Sequence, residues 1–365
     1  FHHEKTPSFS IDEVKGFFYC YGCHIGGDAI TFVMQIEHTD FKGAVKILAD
    51  KYNMPMPEFK SSGNFARAKQ ENDRLFEMTK LTAGYYHANL VGEQGKSARE
   101  YLQKRGIDFA TAKVFGLGYS LGFNQLVSYL TSNGFTLPEM EKAGLVDSKN
   151  EKYYDAMAGR LIVPIINNLK QVVAFGGRVL EKDKLPKYKN TKGTVLFCKT
   201  NELFGQHSIK KVKLEETVTS IIMVEGYMDV ISLYQAGIRN VMASMGTALT
   251  KEQARLIKRY CNKVYICYDG DAAGQAATIR GLDILYQENL DVKVMSLTDN
   301  LDPDEYVRKY GKDGFLRLIA AAKPLFEFKI YKLAEQNDLT SADGRGKFAV
   351  EAMNVWKVQR NDARP

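Results

Sequence analysis

The stretch Ile221-Ile222-Met223-Val224-Glu225-Gly226-Tyr227-Met228-Asp229 decides how the chain is read. Four consecutive apolar residues suit a strand buried on both faces, and an acid followed by glycine ends it. Asp229 to Ala236 then reads as a helix. Toward the C-terminus the alternation repeats. Val241–Ser244 predicts a second strand, Lys251–Tyr260 a helix and Lys263–Tyr268 a third strand; Gln275–Glu288 predicts a helix and Val292–Leu297 a fourth strand. Strands and helices alternating through short connections build a mainly parallel α/β sheet. Such a sheet binds its ligands outside the carboxyl ends of its strands.

The acids fall at those ends. Glu225 follows the first strand, Asp269 and Asp271 follow the third as Asp-Gly-Asp, and Asp302 and Asp304 follow the fourth in Leu301-Asp302-Pro303-Asp304. Each taken singly also suits a helix N-cap. Five carboxylates gathered on one edge repel one another unless cations neutralise them, which argues for a shared site. Hard oxygen ligands suit Mg²⁺ or Mn²⁺, and those ions suit phosphoryl chemistry, where they stabilise attacking and leaving oxygens.

Upstream of this unit the charge changes. Between Arg160 and Lys213 stand twelve Lys or Arg and three acids, a local excess of +9 beside a net +7 for all 365 residues. That density suits a polyanion such as nucleic acid or a nucleoside triphosphate, with a solubilising lysine face as the plainer alternative. Leu161–Ile166 and Gln171–Phe175 read as strands around an Asn167-Asn168 turn, a hairpin carrying the basic cluster. The spacing of Leu75, Met78, Leu81, Tyr85 and Tyr86 predicts helix from Leu75 toward Gly106. Residues 1–57 hold His2, His3, Cys20, Cys23 and His24, then a helical stretch from Asp28 to Tyr52. Met54-Pro55-Met56-Pro57 closes that segment, because proline at alternate positions cannot continue a helix. A polar linker, 58–74, follows, and everything beyond Asp304 reads as helical.

Composition limits the class. With 45% hydrophobic and 25% charged residues the chain is not predominantly disordered. No apolar run approaches the ~20 residues of a membrane span. Five cysteines, an odd number, argue against a secreted disulfide framework. The expectation is a cytoplasmic protein with no membrane partner. The chain opens on Phe1 rather than Met, so it is expected to be a fragment lacking its native ends.

Val224-Glu225-Gly226-Tyr227-Met228-Asp229 with Tyr268-Asp269-Gly270-Asp271-Ala272-Ala273-Gly274 resembles the Toprim signature of bacterial primases and of type IA and II topoisomerases. Asp302-Pro303-Asp304-Glu305 is similar to the primase version. Gly176-Gly177-Arg178-Val179, Pro186-Lys187-Tyr188-Lys189-Asn190 and Met245-Gly246-Thr247-Ala248 resemble motifs of the DnaG-type primases. His2-His3-Glu4-Lys5-Thr6-Pro7-Ser8-Phe9 and Phe18-Tyr19-Cys20-Tyr21-Gly22-Cys23 resemble their zinc ribbon. The resemblance, to bacterial DNA primase, covers nearly the whole chain in family order.

It implies an α+β multidomain protein in four parts. These are a β-rich zinc ribbon (1–57), a mixed α/β basic subdomain (75–216), a Rossmann-like Toprim domain (217–305) and a helical subdomain (306–365). It implies DNA-directed synthesis of RNA primers on single-stranded template from ribonucleoside triphosphates, with release of pyrophosphate, at the replication fork. A Toprim-type nuclease and a non-catalytic single-stranded DNA-binding replication protein are the alternatives. A topoisomerase would need a nucleophilic tyrosine in a separate winged-helix domain, which is not evident.

By resemblance Glu225, Asp269, Asp271, Asp302 and Asp304 surround the metals, with Glu225, Asp269 and Asp271 catalytic. Glu225, alone on its strand end, is also a candidate for proton transfer. Arg178, Lys187 and Lys199 would hold template and nucleotide phosphates, with Tyr188 and Asn190 beside them. Cys20-x-x-Cys23 supplies two thiolates on one turn, half of a tetrahedral Zn²⁺ site. The family adds His2 and an upstream Cys that this chain lacks; His3 and His24 are the available substitutes. The family's contact with the replicative helicase runs through a C-terminal domain not recognisable in this chain.

Overall fold

The computed structural model describes residues 7–14, 16–22, 25–37, 39–56, 63–122, 124–150, 152–181, 186–215, 217–246, 248–268, 282–299 and 301–362. The chain divides into two compact units, Phe1–Gln70 and Glu71–Pro365.

In the first unit, strands β1 (Phe9–Asp12), β2 (Phe17–Cys20) and β3 (Gly26–Gly27) form an antiparallel sheet in the order β1-β2-β3. Phe18, buried on β2, stacks on Phe9 at 5.7 Å between centroids and meets Phe32 edge-on at 5.3 Å. These rings are the apolar centre of a unit too small for a large core. The single helix expected from Asp28 to Tyr52 is two, Ala29–Ile36 and Phe41–Lys51. Asp40 breaks it. Its backbone is extended (φ −78°, ψ 176°) and its carboxylate accepts from Gly43 N at 2.8 Å, an N-cap that starts a new helix. The polar stretch expected as a linker becomes helical at Gly63, within Gly63–Val91.

Among the described residues, the second unit holds two sheets and a hairpin. β4 (Gly118–Tyr119), β7 (Arg160–Ile166), β8 (Val172–Val179) and β9 (Tyr188–Asn190) form an antiparallel sheet in the order β4-β7-β8-β9, and β5 (Val146–Lys149) pairs with β6 (Lys152–Asp155). The turn between β7 and β8 is closed by the Asn167 carboxamide oxygen, which accepts from Leu169 N and Gln171 N at 2.9 and 3.0 Å.

The α/β sheet contains β10 (Ile221–Val224), β11 (Val241–Ala243), β12 (Lys263–Ile266), β13 (Asp291–Val294) and β14 (Lys323–Pro324), in the order β11-β10-β12-β13-β14. All neighbours are parallel except β13 and β14. β10 is flanked by the strand that follows it and, on its other side, by β12. The direction of winding therefore reverses beside β10, which is the switch point where such sheets bind ligands. All four β10 residues are fully buried, as their apolar run requires.

Of the predicted helix Gln275–Glu288, residues 275–281 lie outside the described residues and 282–287 are helical. The C-terminal region is helical over Pro303–Ala320, Leu325–Gln336 and Ala342–Asp362, with a break at Gly311 (φ 66°). The short edge strand β14 was not expected there.

The two sheets of this unit share one core. Leu161, Val163 and Val173 of the antiparallel sheet lie in the same buried cluster as Ile222, Val224 and Val241 of the parallel one. Phe204 forms an antiparallel bridge to Ala243, with both N–H···O bonds near 3 Å.

Candidate active site

β8 and β9 pair so that Gly176 faces Asn190 and Arg178 faces Tyr188. Residues two apart on a strand share a face, so these four project toward the end of β10. A cleft of about 260 Å³ lies there. Arg178, Lys187, Tyr188 and Asn190 form one wall. Glu225, Gly226 and Met245 follow strands β10 and β11, Asp229 stands in the first turn of the helix after Glu225, Asp302 stands at the start of the helix Pro303–Ala320, and Arg105 completes the lining.

The floor depends on a missing side chain. A Cβ on Gly176 would lie 2.6–2.9 Å from Cε2, Cζ and the hydroxyl of Tyr227, the first residue of the helix after Glu225. With no Cβ there, the Tyr227 ring lies close against β8 at Gly176 and its hydroxyl donates to Asn190 Oδ1. Asn190 Nδ2 in turn donates to Met245 O at 3.3 Å. Met245 has φ 62°, an uncommon conformation for a long side chain, and Gly246 follows at φ 75°. Asn190 therefore holds a strained turn against the cleft.

Arg178 is nine-tenths buried between two phenol rings, 5.1 Å from the Tyr101 centroid and 4.9 Å from that of Tyr188, and it donates to the Tyr188 hydroxyl. Its Nε has no protein partner. Burial pushes the Tyr188 phenol up to about 12, so it stays protonated at neutral pH. Arg160 is also buried and donates to Pro186 O at 3.0 Å, bracing the segment that delivers Lys187.

On the acidic side, the Gly226 N–H donates to Asp229 Oδ2 at 3.0 Å, capping the helix that leaves Glu225. Asp302 caps the helix Pro303–Ala320, accepting from Glu305 N at 2.7 Å, and burial raises its carboxyl above the usual range. Asp304 is fully buried. Its carboxylate accepts from Arg105 Nη1, from Arg308 Nε and Nη2 at 3.0 and 3.2 Å, and from Ser232 Oγ at 2.6 Å.

The structure thus gathers Glu225, Asp302, Arg178, Lys187, Tyr188 and Asn190 around one cleft. Lys199 is not among the lining residues; burial lowers its ammonium, and its carbonyl accepts from Gln253 Nε2 at 3.1 Å. Asp269 and Asp271 lie outside the described residues, as do His2, His3, Cys23 and His24. Cys20 is buried on β2, its Sγ 3.5 Å from Ser8 Oγ. No three His, Cys, Asp or Glu among the described residues cluster closely enough to hold a metal. No helix among them is long and apolar enough to cross a membrane.

Sequence reasoning missed Arg105 and Tyr101. Both sit at the end of the helix Lys96–Lys104, more than 100 residues before the acids, where only the tertiary fold reveals their place.

Three family profiles match the chain: the CHC2 zinc finger over residues 1–64, the N-terminal domain of the DNA primase catalytic core over 85–210, and a Toprim-like domain over 222–307. They define a Toprim protein preceded by a zinc ribbon, and point to zinc binding and divalent-metal binding in general. A DNA primase of Clostridium acetobutylicum is 43% identical over 356 residues, covering 97% of this chain and 59% of that protein. One from Pseudomonas aeruginosa is 36% identical over 374 residues, covering 100% of this chain and 56% of that protein. Among solved structures, a DnaG primase catalytic domain bound to ssDNA is 32% identical with a TM-score of 0.72, covering 80% of this chain and 92% of that one. The zinc-binding and RNA polymerase domains of Aquifex aeolicus primase are 32% identical with a TM-score of 0.67, covering 100% and 89%. The chain belongs to the DnaG family of bacterial DNA primases. Its α+β architecture with a Toprim sheet is theirs, and it spans somewhat more than half the length of the curated relatives named here.

Proposed function

We propose that this chain synthesises RNA primers on single-stranded DNA. A 3′-hydroxyl attacks the α-phosphate of an incoming ribonucleoside triphosphate, the bond to the β-phosphate breaks, and pyrophosphate leaves. The observation that carries this reading is the cleft itself, in which a carboxylate edge at the switch point of a parallel sheet faces a wall of cations and phenols. The solved relative bound to ssDNA supports a single-stranded template.

Glu225, Asp269, Asp271 and Asp302 are the carboxylates assigned to Mg²⁺ or Mn²⁺, an all-oxygen donor set that fits hard cations. Such ions, when bound, neutralise charge on the phosphate oxygens. Arg178 and Lys187 hold triphosphate and template phosphates, and Tyr188 keeps the Arg178 guanidinium in place. In the first unit, His2, Cys20 and Cys23 are assigned to Zn²⁺, so that the ribbon can engage template. The working division is 1–57, 58–74, 75–216, 217–305 and 306–365. The replicative helicase is assigned to a further domain of the family, and the setting is the cytoplasmic replication fork.

The deciding experiment incubates the chain with the four ribonucleoside triphosphates, Mg²⁺ or Mn²⁺, and a single-stranded DNA of mixed sequence. Short RNA products support the proposal; DNA shortening without RNA synthesis would replace it with a nuclease.

A second expected result concerns Lys187. Lys187→Ala should weaken single-stranded DNA binding most at low salt, and flatten the slope of log K against log salt by about 0.7 if one phosphate contact is lost. Fluorescence anisotropy across a salt series reads both quantities. An unchanged slope would remove Lys187 from the phosphate wall.

A further inference from the structure

The carboxylates at the strand ends do not share one environment. Glu225 and Asp302 line the cleft, whereas Asp304 has no exposed surface and is met by three donor side chains. Arg308 grips it from one turn further along the same helix, Ser232 donates from the helix after β10, and Arg105 reaches it from the other subdomain. A carboxylate withdrawn from water stays charged only when such donors compensate it, and removing one partner leaves another charge exposed to the same penalty. Serving a metal would require Asp304 to give up these guanidiniums.

Arg105 looks the other way as well. It lines the cleft, about one-fifth exposed, and its guanidinium lies 5.6 Å from the Tyr101 ring on which Arg178 also rests. Arg105, Tyr101, Arg178 and Tyr188 therefore form an alternating ladder of guanidinium and phenol along one side of the cleft, with Asp304 anchoring its end.

We propose that Asp304 is a positioning residue that fixes Arg105 at the cleft as a phosphate-binding cation, and that it ligates no metal. The proposal rests on the primase reading for what the cleft binds, but the pairing of Asp304 with Arg105 can be tested without catalysis.

The test compares Asp304→Asn, Arg105→Met, their double variant and Asp302→Asn. Mn²⁺ binding is read by electron paramagnetic resonance without nucleotide, and binding of a single-stranded oligonucleotide by anisotropy. Asp304→Asn is expected to keep Mn²⁺ affinity within about threefold of the parent, whereas even an outer-shell partner typically costs about tenfold or more on removal. Oligonucleotide affinity should fall by a similar factor, about five- to tenfold, in Asp304→Asn and Arg105→Met. The double variant should be no worse than either, the non-additivity expected of residues acting as a unit.

A tenfold loss of Mn²⁺ affinity in Asp304→Asn, or additive losses of DNA binding, would overturn the proposal. Should Asp304→Asn not fold, Arg105→Met decides alone. The proposal expects unchanged Mn²⁺ affinity and weaker DNA binding, whereas a masked metal ligand would be released and bind Mn²⁺ about tenfold more tightly or better. Asp302→Asn separates this result from the wider reading. If it leaves Mn²⁺ binding unchanged, the metal assignment of the cleft fails while the DNA-binding cycle still judges Asp304.

Discussion

Glu225→Gln is expected to lower primer synthesis by about 10³-fold or more while leaving single-stranded DNA binding within about twofold, which corresponds to roughly 4 kcal/mol of lost transition-state stabilisation. The split follows from where the residue stands. β10 is fully buried and paired on both sides, Met223 with Met242 and Ile266, and Val224 with Ala243. The residue after Val224 is thereby held at the switch point with little freedom to move. Gln keeps the shape and removes the charge that a metal-dependent phosphoryl transfer requires. Arg178, on β8, and Lys187, just before β9, are the groups proposed to hold DNA; they lie outside the parallel sheet and are untouched. Single-turnover extension of a preformed primer gives the rate, and anisotropy gives the affinity. Equal losses in both would mean that Glu225 shapes the cleft rather than taking part in the reaction.

Gly176→Ala should damage both stability and activity, although it adds only one methyl group and changes no charge. The new Cβ would meet the Tyr227 ring at 2.6 Å, and the ring has nowhere simple to go. Its hydroxyl is held by Asn190, and it packs against Phe204 in a T-shaped contact at 4.9 Å between centroids. Overpacking of this kind costs about 1–3 kcal/mol. Moving Tyr227 also loosens Asn190, and through it the Met245 turn. Expected are a melting temperature lower by several degrees and a disproportionate fall in primer synthesis. Adding Tyr227→Leu should recover stability in Gly176→Ala but not activity. No melting shift in the single variant would show that the ring yields without cost.

The parallel sheet was largely legible because its strands are short, mostly apolar runs that alternate with helices through short connections, and buried strands leave little room for other patterns. Its strands end one to three residues earlier than their apolar runs suggest, as at Ile266 rather than Tyr268 and at Val294 rather than Leu297. The helix break at Asp40 was missed because an N-cap aspartate inside an apolar-periodic stretch looks like one more exposed helical acid. β14 was missed because two residues carry no period. Within the cleft, the motif residues could be read, but their partners could not. Arg105 and Tyr101 lie on an ordinary amphipathic helix, and the separation of Asp304 from Asp302 depends on which way two nearly adjacent side chains turn at a helix start.

The bridge between Phe204 and Ala243 occupies ladder positions along β11, one outer strand of the parallel sheet. At the opposite border stands β14, only two residues long, made of an exposed lysine and a proline that has no N–H to offer. Both borders are therefore poor templates for a strand from a second molecule. Two molecules can come close together without the edges of these sheets zipping into an aggregate.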